Sequence, residues 1–432
     1  MRPRGRAMPI SKDRAYVYLQ LPGSLETVTA GYYEQESRLG VDLGIFVYSP
    51  RYLEHPNAVP LEPFELPLKP GRAETVKLRG IFGCLRDASP DAWGRRIIER
   101  HLGRLDLSEV DYLLHSPEDR VGALSFGRGK APPPPAATFN RVVHLTTLLD
   151  FADAVARDDA GEQANAPLPA QMAELVHPGT SLGGARPKNV VEDEDGQWIA
   201  KFPDRSDRWN NARVEASMLE LARECGLRAS DARVVAVGDR DVVLVRRFDR
   251  VKVPGGYLRH RFASALTLLD AGDTYEDRDK WSYLLLADEL RRRSRRPPAD
   301  LLELFHRIVF NALISNTDDH PRNHGLIAPG REWELAPAYD LTPTPLTSLE
   351  RRDLAMAAGR HNRHANRENL LSECARFLLS QVDAGRIIDR IQATVDARWR
   401  AVMRANRVTE ADCDRLATAF NYPGFGLPAA AA

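Results

Sequence analysis

The stretch NTDDHPRNHGL, residues 316–326, decides how this chain is read. It follows the apolar-periodic run FHRIVFNALIS (305–315), which has helical spacing. Asp318 and Asn323 stand five residues apart. That interval is the D-x-x-x-x-N of a kinase catalytic loop, where Asp accepts the proton of a substrate hydroxyl and Asn holds Mg²⁺. Asp340, in APAYDLTP, comes 17 residues after Asn323 and is a candidate second Mg²⁺ ligand. Mg²⁺ prefers a few hard oxygens together with phosphate, and Asn, Asp and ATP supply them. A rival reading uses His320 and His324, spaced i to i+4, with Asp318 or Asp319 as a metal site for hydrolysis. Pro321 stands between the histidines and opposes a regular helix that presents both on one face.

Working towards the N-terminus, GTSLGGARPKNVVEDEDGQWIAKFP (179–203) reads as a glycine-rich loop followed by a β-hairpin. Gly179, Ser181, Gly183, Gly184 and Lys188 mark the loop, whose backbone N–H groups suit phosphate oxygens. Lys201 lies 17 residues beyond Gly184 on the return strand, on the same face as Ile199. A cation on the apolar side of a short strand needs a partner, and a phosphate would serve. The chain has 8 Lys against 52 Arg, so each Lys marks a place where a compact point charge is wanted. Glu215 falls on the amphipathic run 212–225 and can steady Lys201 as an ion pair.

The wider chain frames these residues. A length of 432 residues with 43% hydrophobic content supports two or three domains with a real core. The 60 basic and 60 acidic residues cancel, which argues against a dominant nucleic-acid footprint. No apolar run reaches membrane-helix length, and the basic start lacks the apolar stretch of a secretory leader. Four scattered cysteines, without a C-x-x-C pair, disfavour a disulfide scaffold and fit a cytoplasmic setting. Residues 14–19, 43–48 and 121–126 read as strands, and Ser89 with Pro90 as the start of a helix. KAPPPPAATF (130–139) is a Pro-rich linker. Further along, 144–157 and 299–316 have helical spacing, 234–248 reads as a hairpin, and 366–404 holds more helix. The run LRRRSRR (290–296) reads as a solvated loop. The expected division is a module at 1–130, a linker at 131–143, a nucleotide-binding lobe region at 144–297 and a helical lobe with the catalytic loop at 298–432.

The loop, strand Lys, helix Glu, D-x-x-x-x-N and late Asp stand in the order a protein kinase requires. H-R-D, D-F-G and A-P-E are absent. TSLGGARPK, WIAKFP, LVRRFDR, NTDDHPRNHGL and AYDLTP instead resemble the HipA family of bacterial serine/threonine kinases, the toxins of HipA–HipB toxin–antitoxin pairs. DAWGRRIIER and RVGALSFGR resemble that family's N-terminal module. The resemblance covers roughly residues 13–400. It implies an α+β, two-lobed protein-kinase-like fold with a small mixed α/β N-terminal module and a mostly helical C-terminal lobe. It implies Lys201 on the ATP phosphates, Asp318 as base, and Asn323 and Asp340 on Mg²⁺. The backbone from Arg246 to Phe248 would be the hinge that meets adenine, and Ser181 the autophosphorylated serine, with Thr180 as its neighbour. The implied partners are a protein substrate and a HipB-type helix-turn-helix antitoxin, with DNA reached only through the antitoxin. Asp319, where the family commonly has a small residue, leaves the metal count open.

Overall fold

A computed structural model of the chain describes residues 12–38, 40–134, 140–159, 186–345 and 348–428. The N-terminal module is built on a five-stranded antiparallel sheet in the order β4-β3-β2-β1-β5. Its strands are β1 (Lys12–Gln20), β2 (Thr27–Arg38), β3 (Val41–Tyr48), β4 (Arg72–Thr75) and β5 (Leu124–Gly127). Alternation along β1 and β3 sends Val17, Leu19, Phe46 and Tyr48 into one core with Phe82, Leu85, Val110 and Leu113 from the covering helices. The backbone of β3 passes so close to the following turn that a Cβ on Gly44 would lie 1.6 Å from the Gly80 carbonyl oxygen. Gly80 itself has φ +79, so glycine is required at both positions.

Two local expectations shift. The strand expected at 121–126 starts at Leu124, because Gly122 has φ +80 and gives its amide to Asp249 Oδ2 at 2.8 Å. The helix Ala92–Leu102 is capped by Asp91, which accepts from the Gly94 amide at 2.8 Å. Ser89 is not the cap; its Oγ accepts from Arg95.

The second lobe is a four-stranded antiparallel sheet in the order β6-β7-β9-β8, from β6 (Lys188–Asp193), β7 (Gly196–Lys201), β8 (Ala232–Val237) and β9 (Arg240–Arg246). The run VVLV in β9 is buried on both faces, which explains its unbroken apolar character. Val242 and Leu244 join Trp198, Val191 and the helix Leu145–Asp159, a core that also takes Trp93 and Ile97 from the N-terminal module. Val243 and Val245 join the helix Asn211–Glu224 and the third lobe. That helix ends at Gly226, whose φ of +87 provides the left-handed stop.

Beyond the two-stranded hairpin β10 (Arg250–Val253) and β11 (Gly256–Arg259), the chain forms a helical lobe. It carries one small sheet of β12 (Arg261–Ser264), β13 (Gly325–Ala328) and β14 (Glu334–Leu335). The helix Pro297–Leu313 runs through the core with Leu304, Phe305, Ile308, Val309 and Phe310 buried. It stops short of residue 316, because Ser315 has φ +51 and the Asn316 amide turns back to the Asn311 carbonyl at 2.8 Å. The helix expected within 366–404 is present as Arg367–Ser372 and Gln381–Ala405, with Leu378 at φ +61 between them. The arginines of 290–296 are spent on protein carboxylates: Arg293 on Glu289, Arg295 on Glu334 and Arg296 on Asp300. Cys84, Cys225, Cys374 and Cys413 are all buried and unpaired. No helix of the described residues is long and apolar enough to cross a membrane.

The N-terminal module is bolted to the other two lobes by buried charges. Arg247 and Arg250 share the carboxylate of Asp249, each at 2.8 Å. Both guanidinium groups also donate to module carbonyls, Arg247 to Arg120 at 3.0 Å and Arg250 to Gly122 at 2.9 Å. Asp87 of the module accepts from the Ser264 amide at 2.7 Å and from Thr267 Oγ1 at 2.7 Å.

Candidate active site

The cleft between the sheet lobe and the helical lobe is lined by Ile199, Lys201, Val245, Arg246, Phe248, Phe262, Tyr339 and Asp340, among others. Strand β7 delivers Lys201 to its edge, and the helix Asn211–Glu224 delivers Glu215 behind it. Lys201 Nζ donates to Glu215 Oε1 at 2.5 Å and to Asp340 Oδ1 at 2.8 Å. One ammonium is thus shared by two carboxylates, which leaves the trio with a net negative charge. Burial works against the charge of Lys201, but Asp340 and Glu215 outweigh it and raise its pKa. Burial likewise opposes ionisation of Asp340, yet Lys201 wins and lowers it to about 2. Glu215 is pushed up by burial and by the negative charge of Asp340, with Lys201 pulling the other way. The Asp340 side chain keeps 38% of its surface open, so its carboxylate has room for a further partner in the cleft. Its backbone sits at φ +58, a costly conformation for a non-glycine residue that is found where a site demands it.

The catalytic-loop segment reaches the same place by another route. Tyr339 donates its hydroxyl to the Arg322 carbonyl at 2.6 Å, which ties the residue before Asp340 to the residue before Asn323. Asn323 is buried in the short turn Pro321–Asn323 and donates its Nδ2 to the Asp318 carbonyl at 3.3 Å. Asp318 is exposed. Partial burial and the charges of Asp340 and Asp319 raise its pKa, while His320 opposes them. Lys201, Glu215 and Asp340 are therefore in direct contact, and the charge of Asp340 reaches Asp318, whose carbonyl Asn323 holds; Asp318 and Asn323 are not among the residues that line the cleft.

Asp319 goes the other way. Its Oδ2 accepts from Asn311 Nδ2 at 2.6 Å, from His324 Nε2 at 2.7 Å and from the Tyr283 hydroxyl, all inside the core. It is 1% exposed. It therefore does not join Asp318 at the surface, and His324 is a core residue rather than a partner of His320 on one face. Among the described residues no group of three or more His, Cys, Asp or Glu is arranged to hold a metal ion by itself.

At the hinge, the amides of Arg246 and Arg247 are taken by the Asp231 and Gln197 carbonyls at 2.8 and 3.0 Å. The Arg246 side chain turns outward to the Asp195 carbonyl. The Phe248 ring lies against Tyr339 and Phe262, with centroids 5.4 and 6.1 Å away. Ser181, Gly183, Gly184 and Thr180 lie outside the described residues. The sequence reading missed Phe262, Ser264 and Asp87 as cleft residues. No local pattern marks them; they arrive through the packing of β12 and of the N-terminal module. The cluster Arg247–Asp249–Arg250 was visible as letters in LVRRFDR, yet nothing in those letters says that Arg247 and Arg250 turn inward to share one aspartate.

Two lobes meeting at a lysine–glutamate pair, with an aspartate-bearing loop on the facing side, define a protein of the kinase-like class. Residues 180–399 match the model of the HipA-like C-terminal domain, and residues 24–127 that of the HipA N-terminal domain. The chain belongs to the HipA family. It is 25% identical over 331 residues to the Sinorhizobium fredii protein named "Putative kinase Y4mE", spanning 70% of this chain and 72% of that one. It is 29% identical over 234 residues to "Putative kinase Y4dM" of the same organism, spanning 50% of this chain and 54% of that one. Among solved structures it is similar to HipA of Shewanella oneidensis MR-1 in a complex of HipA, HipB and operator DNA. The TM-score is 0.65 at 18% identity, over 93% of this chain and 94% of that one, so the two share a fold.

Proposed function

We propose that this protein is an ATP- and Mg²⁺-dependent serine/threonine protein kinase and the toxin of a toxin–antitoxin pair. The observation that carries the reading is the single ammonium of Lys201 held between Glu215 and Asp340 in the cleft between the sheet lobe and the helical lobe. When bound, ATP with Mg²⁺ supplies the phosphoryl group and the cation that spreads its charge. Lys201 positions and neutralises phosphate oxygens, and Glu215 keeps Lys201 in register. Asn323 and Asp340 offer the two hard oxygens that Mg²⁺ needs beside phosphate. Asp318, exposed and with its pKa raised by partial burial, orients the attacking hydroxyl and takes its proton. The Arg246–Phe248 stretch meets the adenine, with the Phe248 ring as part of the floor. Ser181 is the proposed site of autophosphorylation, and Gly183 and Gly184 are proposed to meet the phosphates. We take 1–130, 144–297 and 298–432 as the working units, joined through the 131–143 linker.

The relatives' names support kinase activity, and the HipA, HipB and operator DNA complex supports a helix-turn-helix antitoxin as partner, with DNA reached through it. The target is a protein whose identity the motifs do not give, an aminoacyl-tRNA synthetase being one candidate that the family resemblance suggests. A second reading, a kinase-like body that serves as co-repressor with the antitoxin, keeps the partner and drops the chemistry.

One experiment separates the two. Purified protein incubated with γ-labelled ATP and Mg²⁺ should become labelled, and Asp318→Asn should cut labelling by about 10²–10⁴-fold while nucleotide binding persists. Undiminished labelling in Asp318→Asn removes that residue from the chemistry. A wild-type protein that neither binds nor uses ATP yet co-purifies with the antitoxin leaves only the co-repressor.

A further inference from the structure

A second recess, of about 760 Å³, lies between the catalytic loop and the N-terminal module. Its volume falls among sites that enclose a whole organic ligand, about 300–1,000 Å³, rather than a lone ion. His320, Pro321 and Arg322 line it on the loop side. Arg322 also lines the cleft that holds Lys201, so the two cavities meet at this residue. The His320 amide donates to the Asp318 carbonyl at 2.8 Å, which ties the recess to the proposed base. Arg79, Arg86 and Arg95 line it from the N-terminal module.

The charges around this recess do not cancel. Each of its four carboxylates already has a cation: Asp273 has Arg322, Glu109 has Arg95, Asp91 has Lys188 and Asp277 has Lys280. Lys188 and Lys280 are not part of the lining, so two lining cations, Arg79 and Arg86, remain without a carboxylate partner among the described residues. Arg79 is exposed. Arg86 is 9% exposed and donates to the Ala271 carbonyl at 2.7 Å and to Thr267 Oγ1 at 3.4 Å, while its Nε has no partner. Neutral oxygens satisfy N–H groups but do not balance a buried charge. Burial accordingly lowers the pKa of Arg86, with the neighbouring Asp87 opposing. Asp87 is itself engaged, since its oxygens accept from Ser264 and Thr267. A guanidinium in this state favours an incoming carboxylate.

We propose that this recess receives the acceptor polypeptide, as an acidic segment around a serine or threonine, and that Arg79 and Arg86 select it. This names the substrate class of the kinase reading above and rests on that reading. It makes the N-terminal module a determinant of substrate choice.

The test uses the full-length protein and two short synthetic peptides, each with one central serine, flanked in one by glutamates and in the other by lysines. With γ-labelled ATP and Mg²⁺ the glutamate peptide should be phosphorylated with a kcat/KM about tenfold or more above the lysine peptide, the difference lying in KM. Fluorescence anisotropy without ATP, on dye-labelled peptides with alanine in place of serine, should give the same order of binding. Arg86→Gln alters a buried group and can disturb the fold, so the deciding variant is Arg79→Glu at an exposed position. It should raise KM and Kd for the glutamate peptide about fivefold or more, lower both for the lysine peptide and leave KM for Mg·ATP at the wild-type value. Equal use of the two peptides, a preference for lysine, or a wild-type pattern in Arg79→Glu overturns the inference. A protein that labels itself but neither binds nor labels either peptide overturns it too, and leaves the kinase reading standing. A protein that binds the glutamate peptide but transfers phosphate neither to peptide nor to itself refutes the kinase reading, and the acceptor role of the recess with it.

Discussion

Asp318 and Asp319 are neighbours in sequence with opposite fates. Asp318 looks into solvent beside Asp340, and Asp319 is swallowed by Asn311, His324 and Tyr283. Their letters are identical, so only the D-x-x-x-x-N spacing favoured the first, and nothing in the sequence told where the second would point. What separates them is tertiary: the donors that meet Asp319 come from Asn311, His324 and Tyr283. The raised pKa of Asp318 sets a pH dependence whose sign follows from its role. A base works only when ionised, so the labelling rate should fall as pH drops through the Asp318 value, with burial and the charges of Asp340 and Asp319 placing that limb above the usual carboxylate pKa of about 4. A rate that holds steady from pH 7 down to about pH 4 would contradict Asp318 as the base.

Among elements, the junction of helix, catalytic loop and β13 shows how much of the site was readable. The periodicity of FHRIVFNALIS foretold the helix, and its apolar face is indeed the core of the lobe. Asn311, an amide on that helix, gave no sign that it would anchor the loop through Asp319. Polar anchors of this kind depend on tertiary neighbours that arrive from elsewhere, here Tyr283 from the helix Tyr283–Arg293 and His324 from the entry to β13. Asp319→Ala should therefore strip three buried donors of their acceptor and lower stability by about 3 kcal/mol or more, read by urea unfolding. Loss of less than about 1 kcal/mol would show that the loop is held by other means. The hairpin β6–β7 was legible for the opposite reason: its turn residues and alternating strands are local. The expected cap at Ser89 failed by two residues, since an Asp with its own distant cation made the better cap.

At the level of the whole molecule, the bonds between units were the least visible in the sequence. Arg247, Asp249 and Arg250 fasten the N-terminal module just past the hinge, through partners more than a hundred residues away. Asp249→Asn would leave two buried guanidinium groups without their anion and should cost about 3–5 kcal/mol in chemical denaturation. Burial opposes the charge of Asp249, but the two arginines hold its pKa well below the ordinary range. Its contribution is thus fully present above the unfolded value of about 4 and fades as pH falls below that. Acid unfolding should be less steep in Asp249→Asn than in the wild type, and identical slopes would deny the linkage. The interior placement of all four sulfhydryls has a practical sequel. With no thiol at the surface to compete, one engineered cysteine on each side of the cleft would accept a maleimide dye pair cleanly. Energy transfer between the dyes would then report opening and closing of the jaws in real time.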